Sequence, residues 1–407
     1  MPDPDKPAIK GRALNVYLDQ SVYGRLLDAA SDWRTGEIAS LLLKAQTAGT
    51  AEVWAGPTHV METVQTKDIA RRRALAQLIL ELIEFRRTWW GYEFEVISEF
   101  FGFLEAVAAG AMRMHHFFEH HASVARQQYL GALALIVADN TGKFDLPIAS
   151  LRRAKATSRL LHARFAIDPE KWIRRMIEVV DKEETKKQED FQGPEGMTIE
   201  QIEAEIALLR ESAAKLSKRA LQNLNKNRDR ICKAYSAMEV GPILSSVFTL
   251  PFEMEVMFDI PKLAAALKEL ETEWSRTLLE KEVREARRSD FAANPRLTRA
   301  ILQGAIRAAT YVGIPTSYIG FQVVIRELQQ CFNRRALPTG GLTFDVQHAG
   351  AIAHFDIVMT TDTIFAENLK TMANHIEEQS NGVRRCAIVT DAKQFQWALG
   401  QERRLDT

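Results

Sequence analysis

One stretch near the end of the chain constrains the fold more than any other: GLTFDVQHAGAIAHFDIVMTTDTIF, from Gly341 to Phe365. Gly340 and Gly341 break the chain before it. Asp345, His348, Ala349 and Ile352 then recur at steps of three and four, so they share one face of a short helix. Ile357, Val358 and Met359 follow as a short apolar run, the pattern of a strand buried on both faces. Thr360-Thr361-Asp362 closes that run, and a new helical pattern begins near Ile364. Asp345, Asp356 and Asp362 thus stand within eighteen residues around a strand expected to be buried. Carboxylates are not kept together at the edge of a sheet without a cation to offset them.

The front of the chain supplies matching pieces. Residues 13–18 read as a strand closed by Asp19, followed by Gln20, Ser21 and a helix through Leu26 and Leu27. A helix over 36–48 leads to a second strand at 51–55. Pro57 suits a first helical position, and the helix it opens carries Glu62. Asp68 is placed to cap the next helix, whose apolar stripe is Leu75, Leu78, Ile79, Leu82 and Ile83. Arg71, Arg72 and Arg73 in its first turns either flank the acids or pair with Glu81 and Glu84. A last strand is expected at 386–390. Between about 92 and 335 almost no alternating pattern is found. The expected organisation is therefore one α/β domain, residues 1–91 and 336–407, split by a helical insertion over 92–335.

Within the insertion, Arg152, Arg153, Lys155 and Arg159 lie on a basic helix over 151–164, expected either as a phosphate-binding face or as a solvated one. His116 and His120, with Glu119 adjacent, have the i, i+4 spacing of a zinc pair, but no third ligand accompanies them, and a packed histidine cluster is the commoner meaning. Ile199, Ile202, Ile206, Leu209, Ala213, Leu216 and Ala220 form a heptad-like seam, expected to pair with 261–288 as a helical hairpin. The seam is also the place where a second copy or a regulatory partner would dock.

Lys+Arg and Asp+Glu are equal at 53 each, which excludes a passive, globally basic nucleic-acid binder. Cys232, Cys331 and Cys386 form no C-x-x-C pair, which argues against a disulfide framework and fits a reducing, cytoplasmic setting. The first residues carry no apolar leader, and no run of about 18 apolar residues suggests a membrane span.

If both ends belong to one parallel sheet, Asp19 and Glu62 from the front meet Asp345, Asp356 and Asp362 from the back. Oxygen donors of this kind suit Mg2+ or Mn2+, and such ions orient a phosphodiester and activate water. Asp19 or Asp345 taken alone is more often a helix cap; it is the set of Asp19, Glu62, Asp345 and Asp362 in order that favours a site.

The chain resembles PIN-like nucleases, whose small parallel sheet is wrapped by helices. VYLDQSVYG looks like their first motif, PTHVMET like the second, and DVQHAGAIAHFDIVMTTDTIF like the third and fourth. The resemblance covers about residues 12–90 and 335–395. It departs from the family at Gln20, where Thr or Ser is usual, and in the size of the insertion. It implies Asp19, Glu62, Asp345 and Asp362 as ligands of a divalent metal, with Ser21 and Asp356 as neighbours. It also implies metal-dependent cleavage of RNA. His348 is expected as a packed helix residue hydrogen-bonded near the site. A toxin or defence effector would suit a nuclease with so large an insertion. Two other readings stay open: a non-catalytic scaffold binding RNA or protein, and a phosphatase acting on small esters.

Overall fold

The computed structural model describes residues 12–29, 32–107, 115–139, 148–168, 196–213, 218–236, 308–338 and 341–405, with a few single positions besides. Four strands form one sheet: β1 (Leu14–Leu18), β2 (Ala51–Trp54), β3 (Ile357–Met359) and β4 (Ala387–Val389). The order is β2-β1-β3-β4 and every pairing is parallel. Leu18 pairs with Met359, so the front and the back of the chain meet at the centre of the sheet. Each strand falls where the apolar runs predict it. Short parallel strands covered on both faces need uninterrupted apolar sequence, and that is what makes them legible.

Side chains alternate across the sheet. Leu14, Val16, Leu18, Ile357 and Met359 face one core, together with Val22, Leu42, Leu78 and Phe395. That layer is built from α1 (Gln20–Asp28), α2 (Glu37–Thr47), α4 (Ile69–Leu82), α6 (His115–Ala138) and α13 (Ala392–Leu405). Tyr17 and Val358 face the other core, with Val96, Phe100, Ile319, Ile325 and Leu369. Here the covering helices are α5 (Tyr92–Val107), α10 (Pro315–Arg334), α11 (Leu342–Ala349) and α12 (Thr363–Gln379). Thus helices from residues 92–335 share one apolar core with the sheet.

The central helix α10 is where the structure departs most from the sequence pattern. Pro315 occupies its first helical position and opens it. From Pro315 to Ile325 every residue of α10 is buried, and only beyond that do partly exposed residues such as Arg326, Glu327 and Gln330 give it a polar side. Gly320 permits its approach: a Cβ there would lie 2.8 Å from Cε2 of Tyr92.

The seam over 199–220 is described as two helices, α8 (Ile199–Ala213) and α9 (Lys218–Lys226). Its Ile202 and Ile206 pack on Ala156 and Leu160 of α7 (Ile148–Ile167). The apolar stripe is therefore met by the preceding helix of the chain, while 261–288 lies outside the described residues. Among the described residues no helix is long and apolar enough to cross a membrane.

Candidate metal centre

The strand order reverses between β1 and β3, with β2 on one side and β4 on the other. Ligands of open α/β sheets bind in the crevice at the carboxyl ends of such a strand pair. Asp19 follows β1 at that edge, and its backbone N–H continues the ladder by donating to Met359 O at 2.8 Å. It precedes α1 but makes no side-chain capping bond, which removes the cap reading for this residue. Instead Oδ2 of Asp19 accepts from the hydroxyls of Ser21 and Thr360, each at 2.7 Å. Thr360 is fully buried directly after β3. Its hydroxyl also accepts the backbone N–H of Asp362 at 3.1 Å. The two strand ends are thereby locked around one carboxylate, which leaves Oδ1 to face the crevice.

Glu62 arrives on α3 (Pro57–Val64). One turn earlier, His59 ties α3 to the end of β1. Its Nδ1 accepts from the Gly56 N–H at 3.0 Å, so its Nε2 donates to Leu18 O at 2.6 Å. Burial, helped by His348, pushes the pKa of His59 down to about 3, which keeps the ring neutral as those two bonds require.

His348 projects from α11 between the acids. It is buried, and its Nε2 donates to Oε2 of Glu62 at 2.8 Å and lies 3.6 Å from Oδ1 of Asp19. Its Nδ1 shares a 2.8 Å hydrogen bond with the Tyr17 hydroxyl. Burial opposes protonation, but Glu62, Asp19 and Asp345 outweigh it and raise the pKa to about 9. Asp345 lies three residues earlier on the same helix, inside it rather than at its cap. Burial, then Asp19, Glu62 and Asp362, push its carboxyl from 3.8 up to about 7, against the attraction of His348. Burial is thus the larger reason the Asp345 carboxyl resists ionisation, and the negative charge of its neighbours adds to it.

Asp362 is the exposed member. Its Oδ1 caps α12 by accepting the N–H groups of Ile364 and Phe365, both at 2.9 Å. The capping role foreseen for Asp19 and Asp345 thus belongs to Asp362, whose second oxygen takes no part in the cap. Asp356 is not brought to this site. It precedes β3 and sits at the opposite edge of the sheet, about 10 Å away at ~3.3 Å per strand residue. There it accepts from the Asn15 N–H at 2.8 Å and pairs with Arg12 at 2.5 Å. A period-two alternation cannot say which end of a three-residue strand faces the crevice; only the chain direction does.

Comparison with protein-family models, with curated proteins and with solved structures finds no match.

The site is therefore judged on its own donors. Asp19, Glu62 and His348 each offer a ligand-type atom, and these lie within 4.8 Å of one another. Carboxylate oxygens with one imidazole, and Asp345 held back from ionising beside them, suit a hard divalent cation such as Mg2+ or Mn2+. Thr360, His59 and Tyr17 were not foreseen as parts of the site. Thr360 carried a signal in the T-x-D spacing, and His59 in standing one turn before Glu62. Tyr17 looks like any strand aromatic until the fold sets it beside His348.

Of the basic residues, Lys155 reaches the site's rim. Its Nζ donates to Oε1 of Gln65 at 2.8 Å, just past α3, and lies 5.2 Å from the centre of the Phe344 ring, next to Asp345. Arg159 is engaged with Glu203 at 3.2 Å. Arg153 is exposed on α7. The side chains of Arg152, His116, Glu119 and His120 lie outside the described residues. Arg71 pairs with Asp28 rather than with Glu81 or Glu84, at 2.5 and 2.9 Å. Arg72 and Arg73 donate to the backbone carbonyls of Thr66 and Val137. None of these three contacts reaches the acids. Glu81 is held instead by Arg34, and Glu84 by Arg86 and Arg87.

Proposed function

We propose that this chain is a divalent-metal-dependent phosphodiester hydrolase acting on RNA. The observation that carries the reading is that Asp19, Glu62 and His348 bring ligand-type atoms within 4.8 Å of one another at the switch point of a parallel sheet, with Asp345 three residues before His348 on the same helix. The resemblance of three motifs to PIN-like nucleases names the same acids and adds Asp362. Asp19, Glu62, Asp345 and Asp362 would hold the cation, with His348 beside them. Bound there, a Mg2+ or Mn2+ ion supplies positive charge to the phosphate and a more acidic water.

The remaining work falls to the protein's own groups. Ser21 and Thr360 fix Asp19 so that one oxygen is presented to the crevice. His348 fixes Glu62, and His59 holds α3 against the end of β1. Lys155 brings a cation to the rim between α3 and α11, where a phosphate backbone passing the acids gains most from it.

A second reading, the non-catalytic scaffold, is favoured by one observation: the His348 imidazolium already offsets Glu62 without any metal. The experiment that separates the two is incubation of a structured RNA pool, tRNA included, with Mn2+, with Mg2+ and with chelator, beside Asp345→Asn and beside a generic aryl phosphate. The hydrolase reading expects cutting that needs metal and Asp345 and leaves the aryl phosphate intact. A folded protein that cuts nothing in either metal overturns it in favour of the scaffold. Turnover of the aryl phosphate alone makes it a phosphatase.

A further inference from the structure

On the other side of α11 from the acids lies a cavity of about 320 Å3. The helix divides its residues between the two. Thr343, Val346 and Gln347 line the cavity, while Asp345 and His348 belong to the acid cluster. The two sites are thus separated by about one helix diameter, ~10 Å.

The cavity is rich in acceptors. Glu93 stands exposed at its mouth, with Oε1 accepting from Gln347 Nε2 at 2.9 Å. Glu239 lies deeper and accepts from Ser317 at 2.7 Å and from Tyr92 at 3.0 Å. The described lining holds no lysine or arginine, and burial lowers the pKa of His162 to about 4, so that ring is neutral. Val96, Val346 and the rings of Tyr92 and Tyr235 supply apolar walls. An anion is repelled here. A cation gains less than two carboxylates suggest, because hydroxyl donors already satisfy Glu239 and burial keeps its proton on up to about 7. What fits best is a neutral flat ring with N–H donors along one edge. Guanine presents N1–H and the N2 amino group side by side, a match for one carboxylate. Adenine presents an unprotonated N1 at the same place, which the carboxylate repels. Reading an unstacked base on its Watson–Crick edge, between apolar walls, is how single-stranded RNA is recognised.

We propose that this cavity receives a guanine base of the strand lying at the acid site, read by the Glu93 carboxylate at the mouth. The strand rests on the hydrolase reading; the base pocket itself does not need catalysis. The test is calorimetric titration of the full chain in chelator with guanosine, with adenosine and with agmatine as an organic cation. Guanosine is expected to bind at least tenfold more tightly than adenosine. Glu93→Gln should reduce that preference to under threefold in a protein that still melts cooperatively, since Glu93 reaches solvent although burial raises its pKa, and Glu93→Asp should retain part of it. A folded protein that binds no nucleoside, or binds both equally, overturns the proposal. So does agmatine binding that depends on Glu93, which would make the cavity a cation site. Guanosine binding by a protein that cuts no RNA would leave the pocket standing and remove only the hydrolase.

Discussion

Asp345→Asn should make the metal-free protein more stable while abolishing its metal site. The Asp345 carboxyl is raised from 3.8 to about 7, so the folded state holds this proton more tightly than the unfolded state. The sign follows directly. Well below pH 3.8 both states are protonated and the residue costs almost nothing, whereas at pH 4 the unfolded carboxyl is already more than half ionised. As pH rises from 4 to 7 the unfolded chain ionises while the folded one resists, and stability is lost. Above pH 7 the full difference applies: about 3 units at ~1.36 kcal/mol each, or roughly 4 kcal/mol. Asparagine removes the charge but leaves a half-buried polar group, so a net gain of ~1–3 kcal/mol is expected at pH 8. The assay is urea unfolding of both proteins in chelator at pH 4.5 and pH 8. The variant should exceed wild type at pH 8, and its advantage should shrink by roughly 3 kcal/mol between pH 8 and pH 4.5, because the Asp345 cost falls from roughly 4 to roughly 1 kcal/mol over that range. Saturating Mn2+ should then reverse the order by stabilising wild type alone. A variant no more stable than wild type at pH 8 would refute the claim that burial and the neighbouring acids hold back the Asp345 carboxyl.

Three further outcomes follow from particular contacts. Thr360→Val keeps the shape but removes the hydroxyl that serves Asp19 and the Asp362 N–H; it should cost ~1.5–3 kcal/mol in chemical denaturation and weaken Mn2+ binding measured by calorimetry. Gly320→Ala drives a methyl into the Tyr92 ring and should lower stability by ~1–3 kcal/mol in thermal melts, with Mn2+ affinity unchanged, because the clash lies in the core rather than at the acids. Asp356→Asn should leave Mn2+ affinity within about twofold of wild type, whereas Asp19→Asn should reduce it more than tenfold, about 1.4 kcal/mol. Equal losses from both would place Asp356 at the metal after all.

Much of the fold could be read locally. The strands β3 and β4 are short uninterrupted apolar runs, and β1 and β2 are apolar but for Asn15 and Glu52, so all four announce themselves. Asp68 is a cap in the sequence and in the structure, because capping is decided within four residues. The full burial of α10 over 315–325 is not legible in this way, because Thr316, Ser317 and Gln322 are buried with the apolar residues, where a polar–apolar pattern assigns them to the surface. The packing of α8 on α7 was equally hidden, since an apolar seam specifies that it must be covered and not by what.

At the acid site the same division holds. The sequence by itself determined which acids stand at the ends of β1 and β3 and on the helices beside them, because strand, turn and helix are set by neighbouring residues. It left open which acid serves as a cap and which faces the crevice. The tertiary structure decided that. The parallel pairing of Leu18 with Met359 put Asp19 beside Thr360 and carried Asp356 to the far edge. The same packing set His348 between Glu62 and Asp19, over 280 residues from one and over 320 from the other. Electrostatic coupling depends on distance in space, and distance in space between such residues is fixed only when the sheet closes.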